Sequence, residues 1–358
     1  MANTQIIKYL PAEWAEQSFV QIVFPHKETD WADTLDEVSD CFCQIIENIL
    51  QFEDVLVVCA DEKSAQKVES VKSKNRKSKI VNLKSNDTWA RDTSAITIFE
   101  NGKKIALDFT FNGWGLKFPA NLDNQITRKI FKNKEQRTKN KDKKYTLSPF
   151  TFHLSPFIYR DCRNFVLEGG SIESDGKGTI LTTEKCLLSE NRNFLSKKEI
   201  EEKLKFYLGA KRILWLKNGY LAGDDTDSHI DTLARFCNET TIAYVKCDDE
   251  TDEHFAELKA MEEELKAFRT FDGLLYSLVP LPMADKVIFD GERLPATYAN
   301  FLIINGAVLL PTYNSPKDKI AAEILQNVFP DRKIIKINCL PLIKQHGSLH
   351  CVTMQFPK

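Results

Sequence analysis

Three observations predict an α/β fold. Short β-rich runs alternate with amphipathic helical stretches along the whole 358-residue chain. Pairs of strand-like segments joined by short turns, as in residues 300–311 with Asn305 and Gly306 at the centre, point to hairpin-containing ββαβ units. The phosphate-cradling loops of doubly wound sheets are missing, with neither GxGxxG nor a P-loop present. A division into about five such units suits the length, although no repeat shows as sequence identity.

The elements follow in order. SFVQIVFP (18–25) is rich in β-branched and aromatic residues and reads as a strand, and 31–51 carries the helical apolar period. DVLVVCA (54–60) and TSAITIF (93–99) are the next strands. A helix over 196–207 precedes the strand TTIAYVKC (240–247), and another over 252–268 precedes the paired strands of 300–311. The last helix covers 317–329 and the strand KIIKINC covers 333–339. Residues 131–148 (FKNKEQRTKNKDKKYTLS) are Lys-rich and nearly free of apolar side chains, which predicts a solvated inserted loop. An RNA-contacting loop is the less favoured reading.

Composition narrows the function. A hydrophobic content of 42% is enough for a substantial core. With 49 basic against 51 acidic residues, the net charge of -2 offers no field for nucleic acid or an anionic membrane. The N-terminal residues lack a signal-peptide pattern and no apolar run is long enough to span a bilayer, so a cytoplasmic protein is expected. Nine cysteines without a CxxC pair suggest neither a disulfide framework nor a zinc site. Self-association is left open.

Four stretches hold residues suited to chemistry. In NDTWARDTSAITI, Asp92 sits at a strand mouth beside Trp89 and Arg91, a setting for a planar guanidinium or, more plainly, for a turn. In NFVLEGGSIESDGKGTILTT, Glu168 is followed by Gly169 and Gly170, which permit close backbone approach; a simple hairpin is the competing reading. In GDDTDSHIDTLARF, an extended segment would put His229 and Asp231 on one side, an acid/base group beside a carboxylate. In QHGSLHCVTMQFPK, Cys351 follows a Gly-containing loop and opens a short β-like run, where a nucleophile could be presented or a small apolar residue buried.

WARDT (89–93), LEGGSIESDGKGT (167–179), GDDTDSHIDTLARF (223–236), LPATYANFLIINGAVLLP (294–311) and GSLHCVTMQ (347–355) together resemble the agmatine deiminase and bacterial-type peptidylarginine deiminase family. The resemblance extends over nearly the whole chain. It implies a pentein fold, a five-bladed α/β propeller of ββαβ units with pseudo-five-fold symmetry, as one catalytic domain over 1–358. It further implies Cys351 as nucleophile, His229 as general acid/base, Asp92 and Asp231 as the guanidinium grip, and Glu168 as the carboxylate that orients His229. No metal or cofactor is required by that chemistry.

Substrate choice is read from the residues around that set. Free arginine would need a cation for its α-carboxylate, and none can be assigned. Asp224, Asp225, Trp89 and Trp114 would instead suit the distal ammonium of agmatine, which is the preferred substrate. Peptidylarginine deimination and amidino transfer are the alternatives, with a non-catalytic pentein binding protein and a papain-like hydrolase less favoured. The resemblance departs from its usual pattern at His346 and Ser348, at Ser228 and at Thr93 to Ala95.

Overall fold

The computed structural model describes residues 7–73, 76, 78–132 and 157–358. Beyond residue 132, the Lys-rich stretch 131–148 lies outside the described residues.

Strand pairing shows a mixed α/β fold in which one small topology recurs. Gln17–Val23 pairs antiparallel with Thr353–Pro357 and parallel with Asp54–Cys59, which in turn lies parallel to Lys79–Asn82. Ile96–Glu100, Lys103–Thr110 and Phe157–Val166 repeat the pattern, antiparallel then parallel. So do Ile172–Ser174, Thr179–Thr183 and Arg212–Leu216. Ala234–Asn238, Thr241–Lys246 and Ser277–Pro282 do likewise, as do Leu302–Ile304, Ala307–Thr312 and Lys333–Asn338. A parallel neighbour needs a crossover, and in each unit a helix supplies it.

The helices form where the sequence gives them a buried stripe. In Leu35–Ile49 the residues Val38, Cys41, Phe42, Ile45, Ile46 and Ile49 recur every three or four positions and are buried against the first sheet. Lys197–Leu208 starts at a Ser196–Glu199 capping box and stops at Gly209, whose φ of 71° completes the C-terminal cap. Helices Phe255–Ala267 and Lys317–Val328 occupy the corresponding crossovers.

Turn chemistry sets the hairpins. Asn101 and Gly102, both at positive φ, join Ile96–Glu100 to Lys103–Thr110. At Asn305 and Gly306 only the glycine is left-handed, with φ 70°. The Asn305 side chain instead docks on the first sheet, accepting from Gln17 N at 3.0 Å and donating to Gln17 O at 2.8 Å. Among the described residues, no helix is long and apolar enough to cross a membrane.

Candidate active site

The repeated topology also repeats a position. Asp92 lies in the turn Ala90–Thr93 ahead of Ile96–Glu100, and Glu168 immediately precedes the turn Gly169–Ser171 ahead of Ile172–Ser174. His229 caps the turn Ile230–Thr232, which contains Asp231, ahead of Ala234–Asn238. Asn300 and Cys351 stand two residues before Leu302–Ile304 and Thr353–Pro357. Each of the five sheets of three or four strands thus delivers polar side chains just before the antiparallel strand that opens its repeat.

Gly170 marks where three of them meet. A β-carbon placed on it would lie 2.6 Å from His229 Nδ1, 3.0 Å from Asp92 Oδ1 and 3.1 Å from Asp231 Oδ2. Only a residue without a side chain lets the two carboxylates and the imidazole converge there. The Gly170 amide also donates to Asp92 Oδ1 at 2.9 Å, and the Trp114 indole donates to Asp92 Oδ2 at 2.9 Å.

The two carboxylates have opposite proton affinities. Burial, with Asp231 and Glu168 nearby as like charges, raises the Asp92 pKa to about 8. Burial acts on Asp231 in the same direction, but the hydrogen bond and charge of His350 outweigh it and hold Asp231 below the usual carboxylate range. Its Oδ2 is 2.7 Å from His350 Nδ1, while its Oδ1 is buried without a protein partner. Such an orphaned acceptor fits a site for a cationic donor.

His229 is buried, with Nδ1 3.8 Å from Asp92 Oδ1 and Nε2 unpartnered. Burial drives its pKa down to about 3, so the ring is neutral at physiological pH and able to take a proton. Cys351 is 8% exposed and its thiol donates to Asn300 Oδ1 at 3.4 Å. Burial, reinforced by the Asp231 charge, pushes that thiol well above its ordinary pKa. Asn300 also accepts from the backbone amides of His350 at 2.9 Å and Cys351 at 3.4 Å, and donates to Asp231 O at 3.3 Å.

Both Glu168 oxygens accept from Arg192 Nε at 3.0 and 3.1 Å. Arg192 continues to Asp227 Oδ2 at 2.7 Å and Thr226 O at 2.9 Å. Ligand atoms of Glu168, Cys186 and His229 lie within 4.8 Å of one another, so Glu168 remains beside the imidazole. A buried carboxylate paired with a buried guanidinium is satisfied there.

The acidic run divides in a way its sequence did not indicate. Asp224 is bonded within its own turn, accepting from Thr226 N at 3.0 Å and Ser228 N at 2.6 Å. Asp225 is different: its side chain is 44% exposed and lies 3.9 Å from His346 Nδ1. Asp227 and Ser228 both adopt left-handed φ, 61° and 63°, a region that glycine favours, and Ser228 is one of the positions where the chain departs from the family's usual pattern. Trp89 is packed between Trp31 and Trp114, donates to Asp87 Oδ2 at 2.7 Å, and abuts Gly347, whose added β-carbon would fall 2.0 Å from the indole. Trp114 therefore faces Asp92 directly, whereas Trp89 stands behind it.

Asn300, Arg192 and His350 were not among the residues expected at the site. Asn300 could have been found from its place just before a predicted strand, the position shared by the other units. Nothing local marks Arg192, since its partners are more than twenty residues away in sequence.

Fold, site and sequence comparison agree on the class. A model of the Porphyromonas-type peptidyl-arginine deiminase family matches residues 9–357, and the chain belongs to that family. Its similarity to particular members is spread over full-length chains. The agmatine deiminase of Pseudomonas aeruginosa is 32% identical, with 97% of this chain and 95% of that protein covered. The C. jejuni agmatine deiminase solved with substrate bound superposes with a TM-score of 0.88 at 37% identity, covering 100% and 98% of the two chains. A Porphyromonas gingivalis structure provisionally assigned as an arginine deiminase gives 0.86 at 48% identity, covering 98% and 99%.

Proposed function

We propose that this chain is an agmatine deiminase, a hydrolase acting on a C–N bond of a linear amidine, which converts agmatine to N-carbamoylputrescine and ammonia. The observation that carries the reading is the convergence of His229, Asp92 and Asp231 around Gly170, with Cys351 joined to Asp231 through the hydrogen bonds of Asn300, in a family whose relatives include agmatine deiminases. We also assign the five sheets to blades of a five-bladed pentein propeller forming one domain over 1–358, with the pre-strand positions gathered at its centre.

The chemistry follows from the residue types. A guanidinium carbon is a poor electrophile because its charge is delocalised, so two carboxylates hold it in line with the nucleophile. The Cys351 thiol passes its proton to His229 and sulfur attacks the carbon. The protonated His229 returns that proton to one amino group, which leaves as ammonia, and an amidino group stays on Cys351. His229 then takes a proton from water, the hydroxide adds, and the carbon–sulfur bond breaks. The ureido product leaves, the thiol is restored, and one proton is released to solvent.

Two features favour a small guanidine over an arginine within a protein. Cys351, His229 and Asp231 are all buried, so a substrate must be slim enough to reach them. Among the described residues, Lys117 is engaged by Asp225 O and Asp227 Oδ1 and Arg192 by Glu168 and Asp227, so neither is offered to an α-carboxylate. Asp225, exposed at the loop beside His346, suits the distal ammonium of agmatine. Detection of the ureido product by mass tests the reading.

The pH behaviour has a definite sign. Asp92 holds a proton in the free enzyme below about pH 8, and a guanidinium must displace it, so kcat/KM rises with pH through that region. Cys351 is a thiol at neutral pH, so iodoacetamide labels the unliganded enzyme slowly at pH 7 and faster as pH rises. Rapid labelling of Cys351 at pH 7 without ligand would contradict this.

A further inference from the structure

His350, the neighbour of the nucleophile, is 2% exposed and bonded on both sides of its ring. Nδ1 lies 2.7 Å from Asp231 Oδ2, and Nε2 lies 2.7 Å from Glu13 Oε2. Glu13 belongs to the N-terminal segment, and its other oxygen accepts from Ile303 N at 2.7 Å. Arg235 Nη2 stands 2.9 Å from Glu13 Oε2 and 3.0 Å from His350 Nε2, while Arg91 Nη2 is 3.7 Å from Glu13. Arg235 also pairs with Glu173 and donates to Phe301 O at 2.6 Å. Ligand atoms of Glu13, Glu173 and His350 lie within 4.8 Å of one another, but the two guanidiniums already neutralise this cluster, which argues against a metal there.

We infer that His350 is a positioning residue: it holds Asp231 in the guanidinium grip, and Glu13 in turn locks the ring in place. This rests on the functional reading above. Arg235 is a donor and cannot accept a proton from Nε2, whereas Glu13 can, so the imidazolium satisfies both carboxylates, with Nδ1–H towards Asp231 and Nε2–H towards Glu13. One Asp231 oxygen, Oδ2, is thereby fixed by the imidazole, and the unpaired Oδ1 is left to receive a guanidinium N–H. The same chain turn delivers the thiol with residue 351 and the support for the opposing carboxylate with residue 350, so nucleophile and grip are set at a fixed spacing.

Two amide substitutions separate the roles of the ring nitrogens. His350→Asn can keep an N–H near the place of Nδ1 and loses the Glu13 contact. His350→Gln can put its amide near the place of Nε2 and leaves Asp231 without its donor. Steady-state kinetics with agmatine are read beside thermal midpoints for wild type and both variants. Because a lost charge-assisted hydrogen bond costs roughly 10- to 100-fold, the Gln variant is expected to raise KM by about that factor, and Asn, which keeps the N–H towards Asp231 and loses only the Glu13 lock, by several-fold less. A simply structural role would impair both alike. Equal increases in KM, or an unchanged KM in the Gln variant, would overturn the inference. If the Gln variant does not fold, Asn decides alone: a KM rise below about tenfold supports the assignment, and a larger rise overturns it. Wild-type enzyme without turnover defeats the functional reading and this inference with it, whereas active wild type with equally impaired variants defeats this inference only.

Discussion

Cys351→Ser is expected to fold like the wild type and to lose turnover by on the order of 10^4-fold or more. The side chain sits just before Thr353–Pro357 and makes one side-chain hydrogen bond, to Asn300 Oδ1, which a serine hydroxyl can also donate. Packing is therefore kept. What is lost is a nucleophile that a nearby guanidinium can ionise, since an alcohol is a far weaker acid than a thiol. Ammonia release per enzyme, with the near-ultraviolet circular dichroism spectrum as the check on folding, measures this. Activity within about tenfold of wild type would mean that sulfur does not attack the substrate.

Gly170→Ala is the second large effect. Gly170 is not among the glycines at positive φ, so alanine meets no backbone penalty there and the cost is steric. The new methyl would press on His229 Nδ1, Asp92 Oδ1 and Asp231 Oδ2 together, at 2.6 to 3.1 Å, and at least one must retreat. Displacing a reacting or gripping group by a fraction of an ångström is expected to reduce kcat/KM by roughly 10^2-fold or more. Overpacking should also lower stability by about 1–3 kcal/mol, seen as a lower urea midpoint with an unchanged slope. Near-normal kcat/KM in this variant would show that turnover does not depend on the placement of these three groups.

The strands and crossover helices were legible because each carries its own period. Strands expected at 54–60, 240–247 and 333–339 are found at Asp54–Cys59, Thr241–Lys246 and Lys333–Asn338, and helices at 196–207 and 317–329 at Lys197–Leu208 and Lys317–Val328. Lys103–Thr110 was harder to see, since KKIALDFT opens on two lysines and its hairpin signal is only the Asn101–Gly102 pair.

The site was legible in its motifs and not in its supports. Asp92, His229, Asp231 and Cys351 each sit in a recognisable local pattern, and the structure brings Asp92, His229 and Asp231 together around Gly170. The groups that tune them come from far away in sequence: Glu13 is 337 residues from His350, and Arg192 is 24 from Glu168. Ion pairs of that kind have no sequence period. The acidic run shows the opposite limit, because Asp224 and Asp225 look equivalent in sequence while one closes a turn and the other is exposed beside His346.

The central claim is best tested by supplying agmatine, free arginine and a blocked arginine peptide in parallel and measuring each ureido product by mass. Agmatine is expected to give N-carbamoylputrescine and one ammonia per turnover, with arginine and the peptide far slower. Faster conversion of either of those, or no conversion of any of the three by folded protein, would contradict the account.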